Sequence, residues 1–138
     1  MLVWREELSV GNEQIDADHK YLIAIINDFE ATVQRWPEER VIHEVLISLH
    51  DYALAHFERE QIIQQEHHYP FREEHKREHR MLLAQVVDMA TKYFVKKTEP
   101  VTRESLDGLA EFLKRWLIDH IIKSDLRMRP YVGKRKVR

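Results

Sequence analysis

Four stretches of this chain place side chains at alternating steps of three and four, and that periodicity constrains the fold more than any other feature. The first runs His19, Leu22, Ile26, Phe29, Val33 and stops at Trp36-Pro37. The second runs Ile42, Leu46, Leu49, Ala53, His56, Glu60, Ile63 and ends before Tyr69-Pro70. The third runs His75, His79, Leu82, Val86, Met89, Tyr93, with Pro70 suited to its first turn and Lys97-Thr98-Glu99-Pro100 breaking it. The fourth, for which Thr102 can serve as N-cap, runs Leu106, Leu109, Leu113, Trp116, His120. Steps of three and four keep residues on one stripe of an α-helix. Short connections make consecutive helices antiparallel neighbours. The expected fold is therefore all-α, an up-down-up-down antiparallel four-helix bundle, and the presence of only three Gly and four Pro agrees with long helices rather than many turns. The 138 residues suit a single domain. Within it, residues 1–15 read as an N-terminal arm packed on the bundle and 128–138 as a basic C-terminal tail.

The stripes are not wholly apolar. His19, His56, Glu60, His75, His79 and His120 stand where an ordinary bundle would place Leu or Ile. Burying one polar side chain without a partner costs ~1–3 kcal/mol, so six of them would consume most of the ~5–15 kcal/mol by which a domain is stable. A lone seam histidine is usually a hydrogen-bonded core residue. Here each helix contributes at least one such residue, and His56/Glu60 and His75/His79 are pairs that project from one helix face a turn apart. Together they read as a ligand cage. His43 and His50 lie beside the second seam and His67 and His68 in a helix-breaking segment, so these four read as rim or surface residues.

Imidazole and carboxylate form a nitrogen and oxygen set suited to iron, zinc, copper or manganese. Five histidines exceed what one tetrahedral zinc with an open position takes, whereas two ions sharing bridging carboxylates would use them all. Asp125 is a candidate second bridge. On an ideal helix it sits about 140° round from His120, and a wide, π-like turn would bring it back; spacing alone leaves the point open.

Other classes are narrowed by what the chain lacks. With no Cys there is no disulfide, thiolate metal site, cysteine-ligated cluster or thiol nucleophile. The acidic N-terminus does not resemble a signal peptide, and no run of about 18 apolar residues exists, so a cytoplasmic protein with no membrane association is expected. A formal net charge of −2 gives no nucleic-acid footprint, the basic Lys134-Arg135-Lys136-Val137-Arg138 reading as a short solvated tail.

Read in order, these residues resemble the hemerythrin family, in particular its single-domain bacterial members, the bacteriohemerythrins. The likeness spans nearly the whole chain. It is carried by Trp4, Val10-Gly11 and Ile15-Asp16-Ala17-Asp18-His19, then by HFERE (His56, Glu60), YPFREEHKREH (His75, His79) and WLIDHIIKSD (His120, Asp125). The resemblance implies a single hemerythrin-like domain that binds molecular oxygen reversibly at a non-haem di-iron centre, for storage, delivery or sensing, and is not an enzyme. It implies two irons bridged by carboxylates and an oxo or hydroxo group. One iron would be held by His75, His79 and His120, the other by His19 and His56, with Glu60 and Asp125 bridging and one open position on the second. Leu117 takes the place of the family's pocket-lining Leu, with Trp116 beside it, and such apolar walls exclude water.

The chain departs from the family pattern at Gln61 and Gln64, where a second Glu and a Met are usual. Gln61 is expected to face outward. Gln64 lies one turn past Glu60, and its amide either reaches the oxygen pocket or points to solvent at the bundle end.

Three rivals remain. A di-iron peroxidase, oxidase or iron-handling protein on the same bundle is the main alternative, although a ferritin-like site would need Glu-x-x-His pairs that are absent here. An HD-type phosphohydrolase, suggested by His50-Asp51, would leave the seam histidines unexplained. A sensor would need a separate protein partner, reached through the arm or the tail.

Overall fold

The computed structural model describes residues 1–133, so the basic run Lys134–Arg138 lies outside the described residues. Four long helices dominate: α1 (Glu13–Gln34), α2 (Glu39–Glu66), α3 (Arg72–Ala90) and α4 (Arg103–Lys123), followed by a single turn, α5 (Arg129–Val132). No strand occurs among the described residues. The four-helix bundle expected from the stripes is the fold observed.

Local chemistry sets the boundaries. Asn12 caps α1 by accepting the Ile15 amide, after Gly11 turns the arm at a φ of 78° that favours glycine. Thr102 and Ser105 form a reciprocal capping box at the start of α4. Pro70 sits two residues ahead of α3 rather than in its first turn, because Tyr69 is drawn inward and the chain turns at Pro70-Phe71 before the helix begins.

The expected stripes are buried, with two shifts. Thr91–Val95 at the end of α3 is a π-helix, whose extra residue per turn moves the register on by one, so Phe94 is buried where Tyr93 was expected. On α2, Gln64 is buried and Ile63 only half-buried. The main core gathers Leu22, Ile26, Phe29, Leu46, Leu49, Val86, Leu106 and Leu113. A second cluster of Val10, Ile15, Tyr69, Met128 and Val132 closes the other end. The seam histidines fall between the two clusters.

The stretch from residue 128, expected as tail, begins as packed structure. Met128 and Val132 are fully buried, and the Arg129 guanidinium donates to the Ser9 carbonyl of the arm. A Cβ at Gly133 would stand 2.6 Å from the Arg129 carbonyl and 3.0 Å from that of Val10, so this approach needs glycine.

Candidate metal centre

Seven side chains from all four long helices and the turn after α4 meet in the space between the two cores. His19, His56, Glu60, His75, His79, His120 and Asp125 are each at most 6% exposed. Their candidate ligand atoms fall into two sets in which all lie within 4.8 Å of one another, Glu60/His75/His79/His120/Asp125 and His19/His56/Glu60. The rings of His75, His79 and His120 stand 4.4–5.2 Å apart at steep mutual angles, forming a three-sided cup.

The two carboxylates span both sets. Glu60 directs Oε1 at His75 (2.7 Å) and His79 (3.1 Å), and Oε2 at His56 (3.1 Å) and His19 (3.9 Å). Asp125 directs Oδ1 at His75 and His120 (3.0 Å each), and Oδ2 at His19 (3.0 Å). One oxygen of each acid thus faces each group of histidines.

Asp125 reaches this position by a different route from the wide turn expected. The α-helix stops at Lys123, Ser124 breaks from helical geometry (φ −120°, ψ −53°), and a 3-10 turn, Asp125–Met128, begins at the aspartate. The break, not a π-turn, rotates the carboxylate back over His120.

Nine buried nitrogen and oxygen atoms here lack a hydrogen-bond partner: both ring nitrogens of His19 and His79, Nε2 of His56 and His120, Oε2 of Glu60 and both Asp125 oxygens. Several approach one another to about 3 Å without hydrogen-bond alignment. Lone pairs that crowd together without facing each other are aimed at shared points between them, which is how a cation cage differs from a hydrogen-bond network. The donor set of imidazole nitrogen and carboxylate oxygen fits one or two transition-metal ions.

The charge state agrees. Burial opposes protonating the histidines, but the facing carboxylates outweigh it. They push His56 and His75 up to about 9 and His120 up to about 10. His79, where burial prevails, is pushed down. Protons balance the buried acids where cations would otherwise stand, so metal binding must release them.

Two outer carboxylates orient the cage. Asp18 accepts the Nδ1–H of His56 (2.8 Å), and Glu78 that of His120 (3.0 Å). A carboxylate can only accept, so each bond keeps the proton on Nδ1 and leaves Nε2 free toward the centre. Asp18 also takes Tyr52, Gln14 and two nitrogens of Arg59. Burial pushes Asp18 up, yet His56, Arg59 and Tyr52 together hold it well below the usual carboxylate range. The His120 bond, helped by Ser124, takes Glu78 down to about 2. Asp18 and Glu78 are not among the residues expected at the site from the sequence. The signal available was that each immediately precedes a cage histidine, His19 or His79.

A cavity opens beside His19, His56, His120 and Asp125, walled by Leu22, Phe57, Leu82, Trp116 and Leu117. The space open to the centre of a water-sized sphere is about 10 Å³, room for one very small molecule. Trp116 is fixed by its indole N–H on the Leu82 carbonyl (3.1 Å), and Phe57 stacks on His79 at 3.8 Å. Trp116 and Leu117 therefore stand where a pocket was expected. Gln64 does not line this cavity; it is buried, with its amide donated to Met128 Sδ (3.1 Å), because Met128 folds under the bundle end and offers the acceptor. His43 stacks on Phe94 at the rim, His50 is half-buried beside Asp51, and His67 and His68 are exposed.

Comparison with known proteins agrees with this geometry. The Hemerythrin HHE cation binding domain matches residues 10–132. A bacteriohemerythrin of Stenotrophomonas maltophilia is 30% identical over 128 residues, covering 91% of this chain and 77% of that protein. One of Pseudomonas aeruginosa is 34% identical over 124 residues, covering 90% and 76%. A crystal structure of wild-type hemerythrin shares the fold, with a TM-score of 0.82 at 24% identity over 97% of this chain and 99% of that one. A match over nearly the whole chain, on a bundle with a buried histidine and carboxylate cage, makes this protein a member of the hemerythrin family.

Proposed function

We propose that the cage holds two iron ions and that the protein binds molecular oxygen reversibly there. The observation that carries the reading is the set of seven unpartnered buried atoms that face inward, Nε2 of His19, His56, His79 and His120, Oε2 of Glu60 and both Asp125 oxygens, beside a small cavity with apolar walls. His75, His79 and His120 would hold one ion, His19 and His56 the other, and Glu60 and Asp125 both. Iron bound there would supply the reversible two-electron chemistry that oxygen binding requires.

The chain's own residues do the rest. Asp18 and Glu78 hold His56 and His120 in the tautomer that presents Nε2 inward. The cavity borders both histidines of the two-histidine group, where an ion would have fewer protein donors and so room for a further ligand. Leu22, Leu82, Trp116 and Leu117 exclude water there, which favours release of oxygen unchanged over loss of a reduced form. Storage, delivery and sensing all begin with this binding step. Metal analysis of protein produced with iron supplied tests the reading: two irons per chain support it, and one zinc with no iron overturns it.

A further inference from the structure

Resting on that reading of the cage, we propose that Tyr52 and Tyr21 form a redox relay, carrying oxidising equivalents from the metal centre to the protein surface when the protein meets hydrogen peroxide. The path is continuous. His56 Nδ1 donates to Asp18 Oδ2 (2.8 Å), Tyr52 Oη donates to Asp18 Oδ1 (2.8 Å), and the Tyr52 ring stacks on Tyr21 at 4.3 Å and 23°. Tyr21 is 55% exposed. A cage histidine is thus joined to solvent through one carboxylate and two stacked phenols.

The hydrogen bond makes Tyr52 suited to the task. A phenol that loses an electron becomes a far stronger acid than a carboxylic acid, so its proton passes along the existing bond to Asp18 Oδ1. Burial, with the Asp18 bond, pushes the resting phenol up to about 12, so it carries its proton at neutral pH and can surrender it with the electron. Other aromatic groups near the centre lack such a base. Trp116 gives its N–H to a carbonyl, which cannot take a proton. Tyr69 stands edge-on to His75 and to Tyr131, but in none of the described hydrogen bonds does it donate to a carboxylate.

The chemistry balances as H2O2 + 2 Tyr–OH → 2 H2O + 2 Tyr–O•. Tyr52 is oxidised first, then recovers its electron from Tyr21 and its proton from Asp18, while Tyr21 releases its proton to water. A second equivalent then leaves Tyr52 oxidised as well. With an external one-electron donor, Tyr21 is restored at the surface. Without one, the two stacked radicals couple through a ring carbon–carbon bond, the displaced ring hydrogens returning to the phenolic oxygens, and the product weighs two hydrogens less.

The test treats iron-loaded protein with hydrogen peroxide, freezes samples for electron paramagnetic resonance and maps cross-linked peptides by mass spectrometry. Iron content and visible spectrum are measured on the same samples. The expected result is a tyrosyl signal and a Tyr21–Tyr52 cross-link in the parent protein. Tyr52→Phe loses both, Tyr21→Phe keeps a radical but loses the cross-link, and Tyr69→Phe keeps both. Iron-loaded protein that gives no tyrosyl signal, or one undiminished in Tyr52→Phe, overturns the relay and leaves the iron reading standing. Protein that takes up no iron overturns both.

Discussion

Replacing Asp18 with Asn keeps its size and should still damage both stability and metal binding. The wild-type carboxylate accepts five hydrogen bonds, from Gln14, Tyr52, His56 and two nitrogens of Arg59. An amide has one accepting oxygen. Its least damaging orientation leaves the oxygen on Tyr52, Gln14 and Arg59 Nη2 and turns the NH2 toward Arg59 Nε and His56. Bonds to charged groups contribute ~1.5–3 kcal/mol each. The Arg59 side chain is 37% exposed, so water can recover part of its loss, whereas His56 is 1% exposed and has no such substitute. The expected net loss in metal-free protein near neutral pH is ~2–3 kcal/mol, below the ~3–5 typical of a fully buried pair. At ~4 °C per kcal/mol this lowers Tm by roughly 8–12 °C. The effect on metal follows from the tautomer. An amide N–H facing His56 Nδ1 requires that nitrogen to accept, which moves the ring proton to Nε2, the atom directed at the centre. Loss of such an outer partner weakens metal binding by about 10–100-fold. Thermal unfolding by circular dichroism and anaerobic ferrous-iron titration read the two effects. Parental Tm and iron affinity in Asp18→Asn would show that the carboxylate neither stabilises the bundle nor sets the His56 tautomer.

Other outcomes follow from the same geometry. His79→Ala removes a neutral, fully buried donor with both nitrogens unpartnered, so iron content should fall, whereas His67→Ala, on an exposed residue, should leave it unchanged; metal analysis decides. Leu117→Ala opens the cavity wall at a stability cost of ~2–5 kcal/mol, and should admit water and shorten the lifetime of the oxygen complex at unchanged iron content. Gln64→Met loses only the N–H···S contact to Met128, so stability should change by less than ~1 kcal/mol, with the oxygen-complex lifetime unaltered in stopped-flow absorbance. In metal-free protein the raised pKa values of His56 and His75 (about 9) and His120 (about 10), against an ordinary 6.5, mean that the folded state holds protons the unfolded chain releases. Their stabilisation is fully present below 6.5 and disappears as pH rises through about 9–10. Metal-loaded protein, whose cage carries metal in place of those protons, should not show this alkaline loss in a Tm-versus-pH series.

The bundle was legible because seam residues obey one periodicity from end to end, and the cage because His56/Glu60 and His75/His79 keep to it while being polar. Asp125 was legible only through family likeness. Its placement depends on the break at Ser124, and helix period says nothing about where a helix stops. Tyr93 and Phe94 exchanged roles because a π-helix adds a residue that a regular stripe cannot anticipate. Gln64 is expected either in the pocket or in solvent and takes neither position, since its partner Met128 lies 64 positions away on a segment that reads as tail. Asp18 and Glu78 act through histidines 38 and 42 positions distant, contacts that only the assembled bundle creates.

Reversible oxygen binding is tested by a repeated optical cycle on iron-loaded protein, reduced without oxygen, then aerated, then deoxygenated by gas exchange alone. The expected result is a visible absorption that appears on aeration, disappears on deoxygenation and returns over successive cycles without added reductant. A spectrum that forms once and reverts only when reductant is supplied would contradict it, showing that the centre consumes oxygen instead of carrying it.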